Sequence, residues 1–244
     1  MITHLADSAV FDAPDLRVEG EAYQHLFRAR RVAVGEEMRV VDGKGKARWG
    51  KVARVDRTSA TIALGEPAPD NEPAFRLQLI VPTCRPERAS WLIEKATEVG
   101  VSGIWFVNMI RAPRELGGGT FDRLRRVAMA AVEQCHRSRL PEISGPYAWK
   151  DALKLAANGG RWFLDTEAAD RGGWGTPGGD SGALLIGPEG GLDPAERREL
   201  LAAGWSAVGL GERTLRLETA AIVGAAFLLL PGSGNGSPMS EIQN

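Results

Sequence analysis

From Phe75 onward, short apolar runs alternate with longer amphipathic stretches, and each pattern predicts its own kind of element. "RLQLIVP" from Arg76 predicts a strand, since a short apolar run suits a strand buried on both faces. "PERASWLIEKATEVG" predicts a helix with Pro86 near its start and Gly100 just past its end, where a left-handed residue is wanted. "VSGIWFVNM" is a second strand. "TFDRLRRVAMAAVEQCHRS" is a helix with Thr120 as N-cap and Phe121, Leu124, Val127, Ala128, Ala131 and Val132 on one face. A short helix around 148–157, strands "RWFLD" and "ALLIG", helix "PAERRELLAAG", strand "WSAVGLG" and an apolar helix from Glu218 follow. Such alternation predicts an α/β fold with a parallel sheet covered on both faces.

The first seventy or so residues follow another pattern. "EEMRVVDGKGKARWGKVARVDRTSATIAL" alternates apolar and polar positions, broken by Asp42-Gly43 and again near Arg57-Thr58. Those are hairpin signals, and several short strands at this spacing predict a small β-barrel or sandwich. Before them, "EAYQHLFRARRV" fits a short helix with Tyr23, Leu26 and Phe27 on its apolar face. "GEPAPDNEPAF" (65–75) is the candidate linker, "EAADRGGWGTPGGDSGA" a flexible insertion, and the tail after Pro231 a disordered segment. The expected domains are therefore 1–72, a small β module, and 73–232, the α/β domain, with 233–244 as tail.

Charge refines this picture. The net charge of -1 excludes a uniformly basic coat for nucleic acid but leaves room for a local patch. Between Arg28 and Arg57 stand ten Lys and Arg against four acids, a local excess of six on the small β module. Arg137 and Arg139 in "HRSR" offer a second patch. Two cysteines and three histidines, with no CxxC or HExxH, exclude a disulfide framework and argue against a zinc site. The amino-terminal stretch has no basic-then-apolar secretory pattern, and the longest apolar run, 220–230, falls short of the roughly 20 residues that span a bilayer. A cytoplasmic protein with reduced thiols is expected, with neither membrane nor metal as partner.

Chemistry concentrates in "LLIGPEGGLDPAERREL", Leu184 to Leu200. Asp193, Pro194 and Glu196 make a helix start with a capping box, which leaves Gly190 and Gly191 in the turn, free to take positive φ. As a phosphate loop it is poor: it lacks the Lys-Ser/Thr of a P-loop and the GxGxxG spacing, and it carries Glu189. A ligand-free tight turn remains equally open on these residues alone. "GLGERTLRLETAAIVGAA", Gly209 to Ala226, repeats the layout of strand, glycine-bearing turn and helix. Both turns are expected at the carboxyl edge of one sheet, where open α/β folds bind ligands.

"LLIGPEGGL" and "LGERTLRLETAAI" together resemble the SPOUT-class RNA methyltransferases, whose carboxy-terminal end forms a trefoil knot. Within that class the chain is most similar to the 16S rRNA (uracil-N3)-methyltransferase family. The likeness extends to "HLFRARRVAVGEEMRVVDG", "IEKATEVGV" and "AAVEQCHRSRLPEI". It departs at "NMIRAPRELGGGT", where that family carries a Ser-Glu-Arg stretch, which puts an RNA-contact role for Arg111 in doubt.

The resemblance implies that the two turns, with a third around Leu164-Asp165, wrap a bent S-adenosylmethionine. The cofactor residues would be Leu164, Leu185, Ile186, Gly187, Pro188, Glu189, Gly190, Gly191, Leu210, Gly211, Leu215, Arg216, Leu217 and Thr219. Glu189 would then face a sulfonium cation. Leu217-Glu218-Thr219 stands where ribose methylases show Ser-Leu-Asn, which favours base methylation. Arg216 is the expected stabiliser of charge on the uracil oxygens, and Glu218 either takes the N3 proton or caps the last helix. The charge pattern would have RNA gripped through Arg28, Arg30, Arg31, Lys44 and Arg48 of the first domain, with Arg137 and Arg139 as the second patch, beside the active site. The resemblance further implies that the first domain is PUA-like, that the protein is a homodimer through the knotted domain, and that 16S rRNA of the 30S subunit, in its decoding region, is the substrate.

Overall fold

Two units make up the chain: Met1–Glu72 with Met129–Leu140, and Pro73–Ala128 with the described residues from Pro141 on. A computed structural model describes residues 1–113, 116–117, 119–156, 159–168, 174 and 179–230.

In the first unit, β1 (Thr3–Leu5), β2 (Asp15–Glu19), β3 (Glu37–Val41), β4 (Ala47–Val55) and β5 (Ser59–Pro67) form one sheet in the order β1-β3-β4-β5-β2. The expected hairpins are β3-β4 and β4-β5, and Gly43 takes the positive φ, 71°, that the first turn requires. Register shifts on β4, between Arg48 and Gly50 and between Val52 and Arg54, curl the sheet as bulges do. The edge strands β1 and β2 are additions to the sequence reading; three and five residues are too few for a period to announce itself. Helix α1 (Gly20–Tyr23) runs on into a wider π-helical turn, Gln24–Ala29. Together they lay Tyr23, Leu26 and Phe27 against Met38, Val40, Val52 and Ile62, which is the apolar face expected of this stretch.

The candidate linker 65–75 is not a loose one. Its start belongs to β5, and the Ala68 amide donates to the Ala47 carbonyl at 2.9 Å. Glu72 accepts from the buried Arg137 guanidinium at 2.6 Å and from the Ser138 and Arg139 amides at 2.9 and 3.0 Å. Glu72, read from sequence as part of a linker, is thereby the partner of a buried guanidinium, a pairing that only the fold can reveal.

From Pro73 on, β6 (Arg76–Pro82), α2 (Pro86–Val99), β7 (Gly103–Asn108), α3 (Thr120–Cys135), β8 (Glu142–Ala148), α4 (Trp149–Leu155), β9 (Gly160–Leu164), β10 (Ser181–Ile186), α5 (Pro194–Ala202), β11 (Ser206–Val208) and α6 (Leu217–Leu229) succeed one another, all in the second unit except the end of α3 from Met129, which belongs to the first. All six strands are parallel, in the order β11-β9-β10-β6-β7-β8. Helices α2 and α6 pack together, with α6 over β6 and β10. Ala152 and Ala156 of the α4 segment and Leu200 of α5 join a core with Ile80, Phe163 and Leu185. Gly100 ends α2 at φ 105°, as its sequence predicts. The last helix leaves the outermost strand β11 and returns to the sheet centre, where Leu217, Ala221, Gly224 and Ala225 are buried while Val223 and Phe227 stay exposed.

Strand β8 was not expected. "EISGPYA" is broken by Gly145-Pro146, and its pairing with β7 slips between Trp105 and Val107. Of the expected flexible insertion, residues 169–173 and 175–178 lie outside the described residues, as does the tail 231–244. Trp174 is described, and it is buried and stacked on Phe227 at 5.1 Å between ring centroids. Among the described residues no helix is long and apolar enough to cross a membrane.

Acid sensitivity follows from two groups in the first unit. Burial pushes the Glu133 carboxyl up, but hydrogen bonds from His4 and the Leu5 amide outweigh it and hold it below the usual range. Burial lowers His136, with Arg39 and Arg30 adding to the effect, while its Nδ1 lies 2.8 Å from Thr3 Oγ1. Both folded-state pKa values are depressed, so the unfolded chain binds more protons and stability rises with pH. The His136 contribution is complete above about pH 6.5 and the Glu133 contribution above about pH 4.5, each being lost below. Melting temperatures measured from pH 8 downward should fall first near pH 6.5, and His136→Asn should remove that upper part of the slope.

Candidate functional site

Three loops leave the second sheet from one rung. Ile186 at the end of β10 is in register with Leu164 at the end of β9, and Leu164 with Val208 at the end of β11. Because the strands are parallel, the segments after them emerge side by side at the carboxyl edge, the ligand-binding edge of open α/β sheets. The two glycine-bearing turns follow strands that are consecutive in sequence but separated by β9 in space. That puts the Leu164-Asp165 segment between them. Its turn is fixed: the Asp165 amide donates to the Val208 carbonyl at 3.0 Å, and its carboxylate holds Arg197 of α5 at 2.7 Å.

The first turn, 187–193, is tied on several sides. The Gly191 amide donates to the Pro188 carbonyl at 2.8 Å, and Gly191 carries a positive φ of 74°. Gly190 does not, which corrects the expectation that both glycines adopt that conformation. Glu189 is ion-paired with Arg88 of α2. That pair is exposed and holds the Arg88 guanidinium above its ordinary value, chiefly through the Glu189 hydrogen bond. Arg111, in the loop after β7, donates to the Gly190 carbonyl at 3.0 Å and lies 3.5 Å from Asp193.

The capping box of α5 is present as read: Asp193 accepts from the Ala195 amide, and Glu196 from the Asp193 amide at 3.0 Å. Glu196 is also 2% exposed, and its other oxygen accepts from the Ile110 amide at 2.8 Å. The sequence signals the cap; nothing in it signals the bond to a residue 86 positions away.

Side chains and backbone divide the work at this edge. Leu185, Ile186, Pro188 and Leu217 are buried, so at these positions the backbone is what a ligand could meet. Leu164, Gly187, Leu210 and Leu215 are half-buried, and Gly190, Gly191, Gly211, Arg216 and Thr219 exposed. Gly211 has φ 96°. Arg216 occupies the N-cap position of α6 without a side-chain capping bond. Glu218 lies in the first turn of α6, and its Oε2 is buried with no hydrogen-bond partner. A buried carboxylate oxygen without a donor is costly, so it marks a place where a donor is wanted, although the charge of Arg88 already acts on Glu218.

In the first unit the basic residues separate into two kinds. Arg30, Arg31 and Lys44 are exposed, and Arg31 has φ 58°. Arg28 is also exposed, donating to the Arg57 carbonyl at 2.8 Å while stacked 5.5 Å from the Tyr23 ring centroid. Arg139 is exposed and donates to the Lys44 carbonyl at 2.8 Å. Arg48 and Arg137 depart from the expected RNA-facing role. Arg48 donates to the carbonyls of Phe11, Ala13, Leu64 and Gly65, and Arg137 is buried on Glu72. Among the described residues no group of three His, Cys, Asp or Glu could hold a metal ion.

Residues 71–229 match the model of the RNA methyltransferase domain, and residues 18–64 that of the RNA methyltransferase PUA domain. The ribosomal RNA small subunit methyltransferase E of Mesomycoplasma hyopneumoniae is 30% identical over 156 residues, covering 63% of this chain and 69% of that protein. Its namesake from Mycobacterium bovis is 29% identical over 226 residues, covering 84% and 82%. The crystal structure of the Neisseria gonorrhoeae methyltransferase E bound to S-adenosyl methionine superposes with a TM-score of 0.82 at 24% identity, covering 93% of this chain and 95% of that one. That last likeness establishes the fold.

The two glycines of the first turn should differ under substitution. A Cβ at Gly190 makes only ordinary contact with Arg111, at 3.6 Å, whereas Gly191→Ala forces a side chain into the left-handed region. Chemical denaturation should show Gly191→Ala destabilised by about 1 kcal/mol and Gly190→Ala close to unchanged.

Proposed function

The chain belongs to the RNA methyltransferase family and carries its PUA domain, and from that premise we propose that it methylates N3 of a uridine in 16S rRNA, using S-adenosylmethionine. The observation that carries the proposal is the common rung of Leu164, Ile186 and Val208, together with the unpartnered Glu218 Oε2. Three adjoining turns supply backbone donors and acceptors above apolar strand ends, which suits a nucleoside. An orphaned carboxylate oxygen suits a ligand that carries positive charge. The residues present therefore fit the cofactor, with Leu164, Gly187, Gly190, Gly191, Leu210, Gly211 and Leu215 holding it. When bound, it supplies an electrophilic methyl group on a cationic sulfur.

Uridine N3 must lose its imide proton as the new N–C bond forms and the methyl–sulfur bond breaks. Negative charge then spreads onto the flanking carbonyl oxygens. Arg216, which spends no hydrogen bond on capping α6, answers that charge, and Glu218 takes the proton. Residues 1–72 act as the RNA-gripping domain through Arg28, Arg30, Arg31 and Lys44, joined by Arg139, which donates to the Lys44 carbonyl, and residues 73–232 act as the catalytic domain. The relatives' names supply the small-subunit RNA as substrate class. The remaining parts of the proposal are a uridine of the decoding region in the assembled 30S subunit, a cytoplasmic location, a trefoil knot and a homodimer through the knotted domain. The return of α6 from the outermost strand to the sheet centre agrees with the path of such a knot.

Calorimetry should detect S-adenosylmethionine binding to the purified protein, and its absence would make this a non-catalytic RNA-binding member of the family. Mass mapping of 16S rRNA from cells lacking the gene should show one uridine losing a methyl group at N3. If all such methyls persist, the substrate assignment is wrong. Arg216→Ala should lower kcat by about a hundredfold with cofactor affinity unchanged. Arg30→Glu with Arg31→Glu should weaken RNA binding and flatten its dependence on salt, again leaving the cofactor untouched.

A further inference from the structure

We propose that Arg88 and Arg111 are positioning residues that clamp the turn 187–191 from two sides and hold it ready for the cofactor. The inference rests on the cofactor reading above and assigns a role to two residues outside that reading.

The turn needs outside support. It carries Gly187, Gly190 and Gly191, and glycine loses more conformational freedom on ordering than any other residue. Glu189, Gly190 and Gly191 are all exposed, so packing does little to fix them. Its internal restraint is the bond from the Gly191 amide to the Pro188 carbonyl. Arg88, in the first turn of α2, grips the Glu189 carboxylate. Arg111 grips the next residue through the Gly190 carbonyl, and lies against Asp193, the N-cap of α5.

Arg111 can serve as a clamp because its own loop is anchored. Glu196 is buried and joins the Ile110 amide on one oxygen to the Asp193 amide on the other. The loop after β7 and the start of α5 are thereby held in one register, and Arg111 extends from that fixed base across the turn.

Exposed ion pairs contribute little to global stability. Their effect on a glycine-rich turn is local: restricting it before binding reduces the ordering that the ligand must impose. The clamp therefore acts on cofactor affinity and on the motion of the free turn, while melting stays nearly constant.

The test uses the full chain in Arg88→Ala, Arg111→Ala and Arg111→Lys forms. Hydrogen exchange of the ligand-free proteins should be faster over 187–193 in both alanine variants and unchanged elsewhere. Calorimetry should show S-adenosylmethionine affinity lowered roughly fivefold in each, with Arg111→Lys recovering part of the loss, since lysine can still donate to the Gly190 carbonyl. RNA affinity should be unchanged. Wild-type exchange and wild-type cofactor affinity in both alanine variants would overturn the clamp, as would a loss of affinity that merely tracks a lowered melting temperature. If the wild-type protein itself fails to bind S-adenosylmethionine, the cofactor reading falls and the clamp with it. Faster exchange in the variants would then describe only a stiffened turn.

Discussion

Every contribution to the candidate site depends on parallel strands ending at the same level. Leu164, Ile186 and Val208 share a rung, so three chain segments from different parts of the sequence rise from one short line of backbone. Parallel pairing demands crossovers, and the crossovers put helices on both faces. The strand interiors can then be almost wholly apolar, and chemistry is left to the segments past their ends. Burying Leu185, Ile186 and Val208 fixes where those segments begin, and so fixes the site.

What lies beyond the rung is held by polar bonds between distant segments. A glycine-rich turn has little stiffness of its own, and here the stiffness is borrowed. Asp165 takes Arg197, Glu196 takes the Ile110 and Asp193 amides, and Arg88 and Arg111 take Glu189 and the Gly190 carbonyl. One carboxylate oxygen in this region, Glu218 Oε2, is buried and left without a donor. Natural proteins rarely leave a buried acceptor unmet, and where they do a ligand is a ready explanation.

Periodicity reveals elements that are long enough to repeat. The spans of α2, α3, β6 and β7 follow from theirs, and the capping box at Asp193-Glu196 is as legible in the sequence as in the fold. Short or broken segments escape: β1 has three residues, and β8 is interrupted by Gly145-Pro146. The turns at Gly187–Gly191 and Gly209–Arg216 are readable as a related pair, yet the strand between them, β9, comes from elsewhere in the chain. Basic residues mislead in a different way. Arg48 and Arg137 look like their exposed neighbours in sequence, but one is spent on four carbonyls and the other on Glu72, because charge count says nothing of where a guanidinium points.

By itself, the sequence determined the alternation of strands and helices, the two turns with their glycines, the local excess of positive charge and the family likeness. All of these are properties of neighbouring residues or of motifs in order along the chain. The tertiary structure alone decided that β9 lies between β10 and β11, that Glu72 neutralises Arg137, and that Gly191 and not Gly190 takes the left-handed conformation. It also decided that Glu189 is paired with Arg88. The physical reason is common to all four. Strand order, ion pairs and turn dihedrals are set by residues far apart in sequence competing for the same space and the same hydrogen bonds, and that competition is resolved only when the chain closes on itself.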